Sequence, residues 1–442
     1  MKTKSNISSI KKHRFSFFAN QLVNKRTLYF TLYTFNFKSV LLCGLFLFSI
    51  NIIDGQSLND LVNKALDNNP EIKKFELQYR IASEKVNEVN TLPNTEFGVG
   101  YFVSEPETRT GAQRFKVSAK QMLPWFGNIT ARENYASALA DAKYEDIVIA
   151  KRKLIASVSQ SYYTLYANTA KQDVLTENIK LLETYEILAL TSVEVGKASA
   201  VDVLRLQMRQ NEMQQLFGVL SQQFLAEQTN FNMLLNRDKA INVNVINELN
   251  LPSEDFEITT ENLALHPELL KYDKLYYSVE QSELLNQKES SPMIGFGLDY
   301  INVENRPNMN FSDNGKDIIM PTVSVSISIF NKTYKSQTKQ NELQQKEVLA
   351  QKQYRLNTLE TLLDKAINDR ISSRISHKTQ AKNLRQAKNA EDILIKSYET
   401  GTIDFNDVLD IQELQLKFQM NQIESVKTYY VQTTIINYLT QQ

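Results

Sequence analysis

GKASAVDVLRLQ at Gly196–Gln207 and GTIDFNDVLDIQ at Gly401–Gln412 share one motif. In both, a glycine is followed six residues later by aspartate and then by Val-Leu, and the two glycines stand 205 residues apart. Glycine suits the left-handed position just past a helix end, and serine or aspartate after it favours the start of a new helix. Each stretch therefore predicts a turn between two antiparallel helices.

The sequence around these turns is also duplicated. NNPEIKK at Asn68–Lys74 and HPELLK at His266–Lys271 open the two copies, and their prolines are 197 residues apart. The short motifs GVG and GFG follow in each copy at the same 197-residue offset. A repeat of this length predicts two copies of one supersecondary unit, residues 56–250 and 251–442. Each copy contains a helix, a strand pair and a long helical hairpin.

Long helices are predicted where glycine and proline are scarce. No proline falls between Pro124 and Pro252, and none follows Pro321. Since these residues are the strongest helix breakers, each stretch is interpreted as a very long helix that breaks once, at its turn glycine. A helix from Asn128 to Val195 would be roughly 100 Å long, which requires packing against other helices.

The helices that follow the turns have capping signals. Ser199-x-x-Asp202 and Asp404-x-x-Asp407 resemble the capping box, in which two residues three apart satisfy the first free N–H groups of a helix. The turn residues expected to fix each hairpin are therefore Gly196 and Ser199 in the first copy, and Gly401 and Asp404 in the second.

Four segments alternate apolar and polar residues with period two, which predicts strands at Glu96–Val103, Arg114–Leu123, Ile294–Val303 and Thr322–Ile329. One interpretation is a half-buried antiparallel sheet. The other is the wall of a membrane barrel with an apolar outer face and a polar lumen. Because four strands are too few to close a barrel, the second interpretation requires an oligomer.

The amino terminus favours the membrane interpretation. Basic residues precede an apolar run at Val40–Ile53, a pattern typical of an export signal, and residues 1–55 are interpreted as signal peptide and basic leader. Leu42 before the single cysteine, Cys43, argues against lipid attachment, and the mature chain then has no cysteine. No later run is apolar enough for a spanning helix. An exported chain with amphipathic strand pairs points to an outer membrane.

With these residues in view, the chain resembles the TolC-like outer membrane factor family, essentially throughout its mature length. The resemblance rests on the duplicated openings, the strand pairs, the segment LPWFG at Leu123–Gly127 and the two Gly-x5-Asp-Val-Leu turns. LPWFG is most like the CzcC/CusC metal-efflux branch. The resemblance implies a mainly α fold with a membrane β-barrel: a homotrimer with a shared twelve-stranded barrel continued by an α-helical tunnel into the periplasm.

The same resemblance implies the partners. A periplasmic adaptor and an inner-membrane RND-type pump or ABC exporter are expected to dock, and the channel conducts passively without a cofactor. The expected substrates are metal ions or small toxic compounds. Type I protein secretion stays open as an alternative. A periplasmic adaptor is a further alternative, but adaptors have one hairpin, whereas this chain has two. A coiled-coil protein without a channel leaves the strands unexplained.

The family also implies a closed-state latch and a gate. Tyr398 is expected to bond to Asp202 of the neighbouring turn, although Ile403 stands where the best-known member has the arginine that completes the lock. Asp407 and Asp410 lie three residues apart, hence on one helix face, and a trimer would arrange them as rings that favour cations. The alternatives are capping for Asp202 and Asp407, and a solvated helix face for Asp410. Aromatic residues expected at the barrel interface are Trp125, Phe126 and Phe330.

Nothing in the sequence predicts an enzyme. His266 precedes a proline at a helix start, where capping or surface exposure explains it, and His377 lies on a charged helical face. Neither has Cys or His neighbours that could form a metal site. The balance of 50 basic and 50 acidic residues argues against a nucleic-acid partner.

Overall fold

A computed structural model describes residues 57–197, 199–255 and 260–440, with the side chains of 260–262 excepted. The predicted leader at residues 1–55, with Cys43, lies outside the described residues. The first half contains α1 (Leu58–Asn68), α2 (Pro70–Val89), β1 (Thr95–Tyr101), β2 (Glu107–Thr108), β3 (Gly111–Leu123), α3 (Asn128–Glu194) and α4 (Ala200–Leu234). After a 3-10 turn at Thr260–Leu265, the second half contains α5 (Pro267–Glu289), β4 (Met293–Glu304), β5 (Ile318–Ser326), α6 (Thr333–Glu399) and α7 (Phe405–Thr440).

The predicted long helices are confirmed. Both α3 and α6 have 67 residues, or roughly 100 Å at ~1.5 Å per residue. Each ends two residues before its turn glycine and is followed by a shorter helix, α4 or α7, that packs against it. The mainly helical fold with a strand region is therefore the one that the sequence predicts.

The two helix openings NPE and HPE are capped alike. In α2 the Asn69 side chain accepts the N–H of Glu71 at 2.8 Å, and Pro70 occupies the first turn. In α5 the Nδ1 atom of His266 accepts the N–H of Glu268 at 3.3 Å. His266 is therefore a cap, as expected, but it is 1% exposed, so the surface alternative is wrong.

The strands form one antiparallel sheet in the order β1-β3-β4-β5, and β2 pairs with β3. The prediction of four strands was therefore one short in the described part of the chain, because the two-residue β2 has no periodic signal. The last strand also differs from the predicted Thr322–Ile329. It starts at Ile318 because Ile318 and Ile319 pair with β4, and it ends at Ser326 because its partner Met293 begins β4.

The helices pack through three apolar clusters. One joins the ends of both hairpins, around Leu206, Phe405 and Val408. A second joins α1 to α3 and α4, and a third joins α6 to α7. The described helices contain no apolar stretch of the length that a membrane span requires.

Candidate gate at the hairpin turns

Both hairpin turns have the same backbone geometry. Gly196 has φ 73° and Gly401 has φ 71°, a region that L side chains rarely adopt. After each glycine the next N–H reaches back five residues: Lys197 to the carbonyl of Ser192 at 2.8 Å, and Thr402 to that of Ser397 at 3.0 Å. This bond satisfies a carbonyl that the helix end would otherwise leave free.

The side chains of the first turn close a capping box. Ser199 accepts the N–H of Val201 at 3.2 Å, and the Asp202 carboxylate accepts the N–H of Ser199 at 3.3 Å. Asp202 is only 5% exposed, and Arg205 lies 3.9 Å from it on the next helical turn. The Asp202 carboxylate thus already serves as a helix cap within one protomer.

The second turn lacks this box. The bond between Asp404 and Asp407 joins backbone atoms only, N–H of Asp407 to the carbonyl of Asp404 at 3.3 Å. The Asp404 carboxylate instead accepts a long bond, 3.4 Å, from the side chain of Asn406. Phe405 and Val408 hold the opposite face of α7 in the core.

Asp407 and Asp410 both lie on the exposed face of α7. Their carboxylates make no hydrogen bond or ion pair with any residue in the described ranges. Since a carboxylate without a partner is stable only in water or beside a cation, this face is open to solvent or to ions. Two adjacent carboxylates one turn apart can attract a hydrated cation and repel an anion.

Tyr398 lies at the end of α6 and packs on Phe405, with ring centroids 4.8 Å apart. Its hydroxyl is buried and, among the described residues, makes no hydrogen bond of good geometry. Burial raises the pKa of Tyr398, and the charges of Asp202 and Asp404 raise it further, while a weak interaction with the Ser192 hydroxyl opposes them. The predicted bond to Asp202 is absent within one protomer, although the carboxylate is close enough to act on the hydroxyl.

Sequence reasoning missed the ties between the two hairpins. The Tyr185 hydroxyl donates to the Glu391 carboxylate at 2.5 Å, and Gln415 donates to the other oxygen of Glu391 at 2.7 Å. Arg205 donates to the side chain of Asn406 across the two turns. The bonds of Tyr185 with Glu391 and of Arg205 with Asn406 join residues about 200 positions apart, so no local pattern could have revealed them.

The three predicted interface aromatics lie where the sheet meets the helices. Trp125 and Phe126 follow β3, with ring centroids 5.9 Å apart, and Phe126 is 84% exposed. Phe330 is 96% exposed but lies four residues beyond the end of β5. Within one protomer all three side chains are exposed, Trp125 less than the two phenylalanines.

The sheet is strongly two-sided. The strand register pairs Phe97 with Ala119 and Ala119 with Leu298, so these three residues form one row across the sheet. Gly98 pairs with Ser118, and both lie on the opposite face. The face that contains Phe97 and Val99 also contains Val323 and Val325, and all four are exposed. Across the sheet, the opposite face has Ser324 and the ion pair of Lys116 with Asp299 at 2.9 Å.

A bound metal ion needs several ligand side chains close together. In the described part of the chain, no group of three or more His, Cys, Asp or Glu side chains is arranged to bind one. His377 is half-buried, and its Nε2 atom lies 3.3 Å from Nε2 of Gln422. Its environment is a helix contact within the hairpin rather than the solvated face that the sequence suggested.

A two-sided sheet that continues into two long helical hairpins is the fold that the resemblance to the TolC-like family implies. The family model described as outer membrane efflux protein matches residues 61–236. Over that range the chain is similar to the outer membrane efflux protein family. No curated protein has a significantly similar sequence.

Solved structures share the fold across most of the chain. CusC superposes with a TM-score of 0.72 at 14% identity, over 88% of this chain and 92% of CusC. VceC of Vibrio cholerae gives 0.69 at 14% identity, over 87% and 95% of the two chains. MtrE of Neisseria gonorrhoeae, an outer membrane channel in its open state, gives 0.70 at 15% identity, over 87% and 88%.

Proposed function

We propose that the chain is the outer membrane channel subunit of a tripartite efflux system and conducts substrates passively out of the periplasm. The observation that supports this most strongly is the two-sided sheet joined directly to the long hairpins. An apolar face of exposed Phe97, Val99 and Val323 is costly in water and stable against lipid. The polar face then borders a wet lumen.

A homotrimer would complete the barrel. In one protomer β1 and β5 are the edge strands, and an open sheet edge is not stable in a bilayer. Pairing β5 of one copy with β1 of the next removes both edges. Three copies of the four long strands would then give a shared twelve-stranded barrel, with the hairpins continuing as an α-helical tunnel below it.

The hairpin turns are the proposed gate. Exposed Asp407 and Asp410 would form rings of three carboxylates each in a trimer, and such rings favour cations. Tyr398 and Asp202 are the proposed latch, formed when the turns meet in the closed assembly. Trp125, Phe126 and Phe330 are the proposed interface aromatics at the periplasmic side of the membrane.

The proposed partners are a periplasmic adaptor and an inner-membrane RND-type pump or ABC exporter, which supply the energy. Metal ions or small toxic compounds are the proposed substrates. The likeness to CusC agrees with the metal-efflux branch that LPWFG suggested, but VceC and MtrE are as similar at 14–15% identity, and the branch stays a proposal.

Reconstitution tests the proposed function. The purified chain should run as a trimer and conduct ions in a planar bilayer. Val323→Asp should abolish insertion because it places a charge against lipid, whereas Ser324→Asp, one residue along the same strand, should retain conductance. A monomer without conductance, or insertion that tolerates Val323→Asp but not Ser324→Asp, would contradict the proposal.

A further inference from the structure

A cavity of about 480 Å³ lies where α1, α3 and α7 meet, far in sequence from the hairpin turns. Its volume is within the roughly 300–1,000 Å³ typical of small-ligand sites. Both polar and apolar side chains line it, and none of the lining residues is acidic. Since neither the gate nor the sheet uses this cavity, its chemistry needs a separate explanation.

Arg152 lines the cavity without an anionic partner. Its Nη1 atom is buried and unbonded, and its guanidinium makes no ion pair with any described residue. The neighbouring cations Lys153 and Arg355, by contrast, both form ion pairs with the Glu268 carboxylate. Burial lowers the pKa of Arg152, while Tyr438 and Glu145 act in the opposite direction. Arg152 is half-buried, a partly desolvated guanidinium without a carboxylate is costly, and an anion in the cavity would offset that cost.

Three further donors line the same cavity. The side-chain amides of Asn59 and Asn437 and the hydroxyl of Tyr163 have no hydrogen-bond partner among the residues described. Burial raises the pKa of Tyr163 to about 12, so its hydroxyl keeps its proton. The donors come from α1, α3 and α7; Asn59 and Asn437 are exposed, and Tyr163 is half-buried.

The other hydroxyls that line the cavity already donate hydrogen bonds within the protein. Ser159 donates to the carbonyl of Ile155 at 2.9 Å, and Thr433 and Thr434 donate to carbonyls of their own helix. They present no free proton to a ligand. The first turn of α1, at Leu58 and Asn59, also faces the cavity, and the N–H groups of a first turn lack partners within the helix.

Apolar side chains complete the wall: Leu58, Val62, Ile155 and Ala156. A bare inorganic anion would leave these groups in contact with water. A ligand with a hydrocarbon portion would cover them and gain from burial of apolar surface.

We propose that this cavity binds a small amphipathic anion, a carboxylate or phosphate head group on a short hydrocarbon chain. The head group accepts hydrogen bonds from Arg152 and Tyr163, and the chain lies against Val62 and Ile155. The inference does not depend on conduction, since binding is measured on the purified protein whether or not it forms a channel.

Calorimetry on the full purified protein tests the site with hexanoate, hexyl phosphate and neutral hexanol as probes. At least one of the two anions should bind, and hexanol should not. Arg152→Gln should weaken the binding at least tenfold because the charge-assisted hydrogen bonds are lost, and Arg152→Lys should weaken it less. Lys151→Gln removes an exposed charge one residue away and should leave binding unchanged. No binding of either anion, equal binding of hexanol, or wild-type affinity in Arg152→Gln would overturn the proposal.

A measurement on the unmodified protein covers the case in which Arg152→Gln does not fold. Phenylglyoxal labels accessible arginines, and mass spectrometry locates the label. Hexanoate or hexyl phosphate should slow the labelling of Arg152 but not of exposed Arg80. If Arg152 is fully protected in the oligomer without either probe and becomes reactive on dissociation, a neighbouring subunit supplies its anion and the proposal is wrong.

Discussion

Asp202 and Asp407 occupy equivalent positions, six residues after the two turn glycines, yet only Asp202 is buried and caps its helix. Asp407 is exposed, and its carboxylate has no partner in the described chain. The same residue type at the same place in the repeat therefore stabilises one turn and leaves a free charge at the other. This asymmetry favours the second turn, rather than the first, as the proposed gate.

The cap at the first turn predicts a local stability difference. Ser199→Ala should destabilise the start of α4 by about 1 kcal/mol, which corresponds to roughly fivefold faster amide exchange in its first turn. Asp404→Ala is the matched control at the second turn, where no side-chain cap bond exists, and should change exchange little. Hydrogen exchange followed by mass spectrometry measures both, and equal effects would contradict the asymmetry.

The latch predicts an effect of one hydroxyl. Tyr398→Phe keeps the ring packed on Phe405 and removes only the hydroxyl, which could donate a hydrogen bond to Asp202 in the closed trimer. The leak conductance of the reconstituted channel should rise. If the leak stays at the wild-type level while thermal stability is unchanged or higher, the hydroxyl is simply an unpaired buried group and Asp202 is only a cap.

His266 predicts a dependence of stability on pH. Burial, with Arg152 and Arg355 also acting to lower it, brings the pKa of His266 to about 4 against the opposing effect of Glu268. Because the unfolded chain takes up a proton near pH 6.5 and the folded chain does not, stability is full above that value and falls as the pH drops towards 4. Between pH 7 and pH 5 the loss should be about 2 kcal/mol.

Urea unfolding of the purified protein at several pH values measures this loss. His266→Asn is the matched control, because asparagine caps the equivalent helix at Asn69 but does not titrate. The variant should lose most of the dependence above pH 5, where carboxylates contribute little. A variant that retains the wild-type slope would assign the effect to other groups.

The two faces of β5 predict opposite cysteine labelling. In a reconstituted channel, a water-soluble maleimide should label Ser324→Cys from the lumen and leave Val325→Cys unreacted in lipid. The native mature chain is predicted to contain no cysteine, so the background is low. Labelling of Val325→Cys but not Ser324→Cys would reverse the assignment of the faces.

Local signals made most of the fold predictable. The absence of glycine and proline set the lengths of α3 and α6, and period-two alternation located the four long strands. The end of β5 was not predictable, because Ile327 and Ile329 continue the alternation after the partner strand has ended. Strand length here depends on pairing with Met293 rather than on the pattern itself.

The candidate site was only partly predictable. The sequence identified the turns because their glycines and capping residues act over a few positions. It could not distinguish Asp202 from Asp407, because burial depends on packing between hairpins. The bond from Tyr185 to Glu391 and the unpaired Arg152 both arise from contacts between helices that are distant in sequence.

Single-channel conductance of the trimer in planar bilayers tests the central claim most directly. Asp407→Ala combined with Asp410→Ala should raise conductance, weaken cation preference and relieve block by multivalent cations from the periplasmic side. Asp60→Ala with Asp67→Ala removes the same charge from exposed positions on α1 and should change none of these. Unchanged selectivity and block in the Asp407/Asp410 double variant would contradict a gate at the hairpin turns.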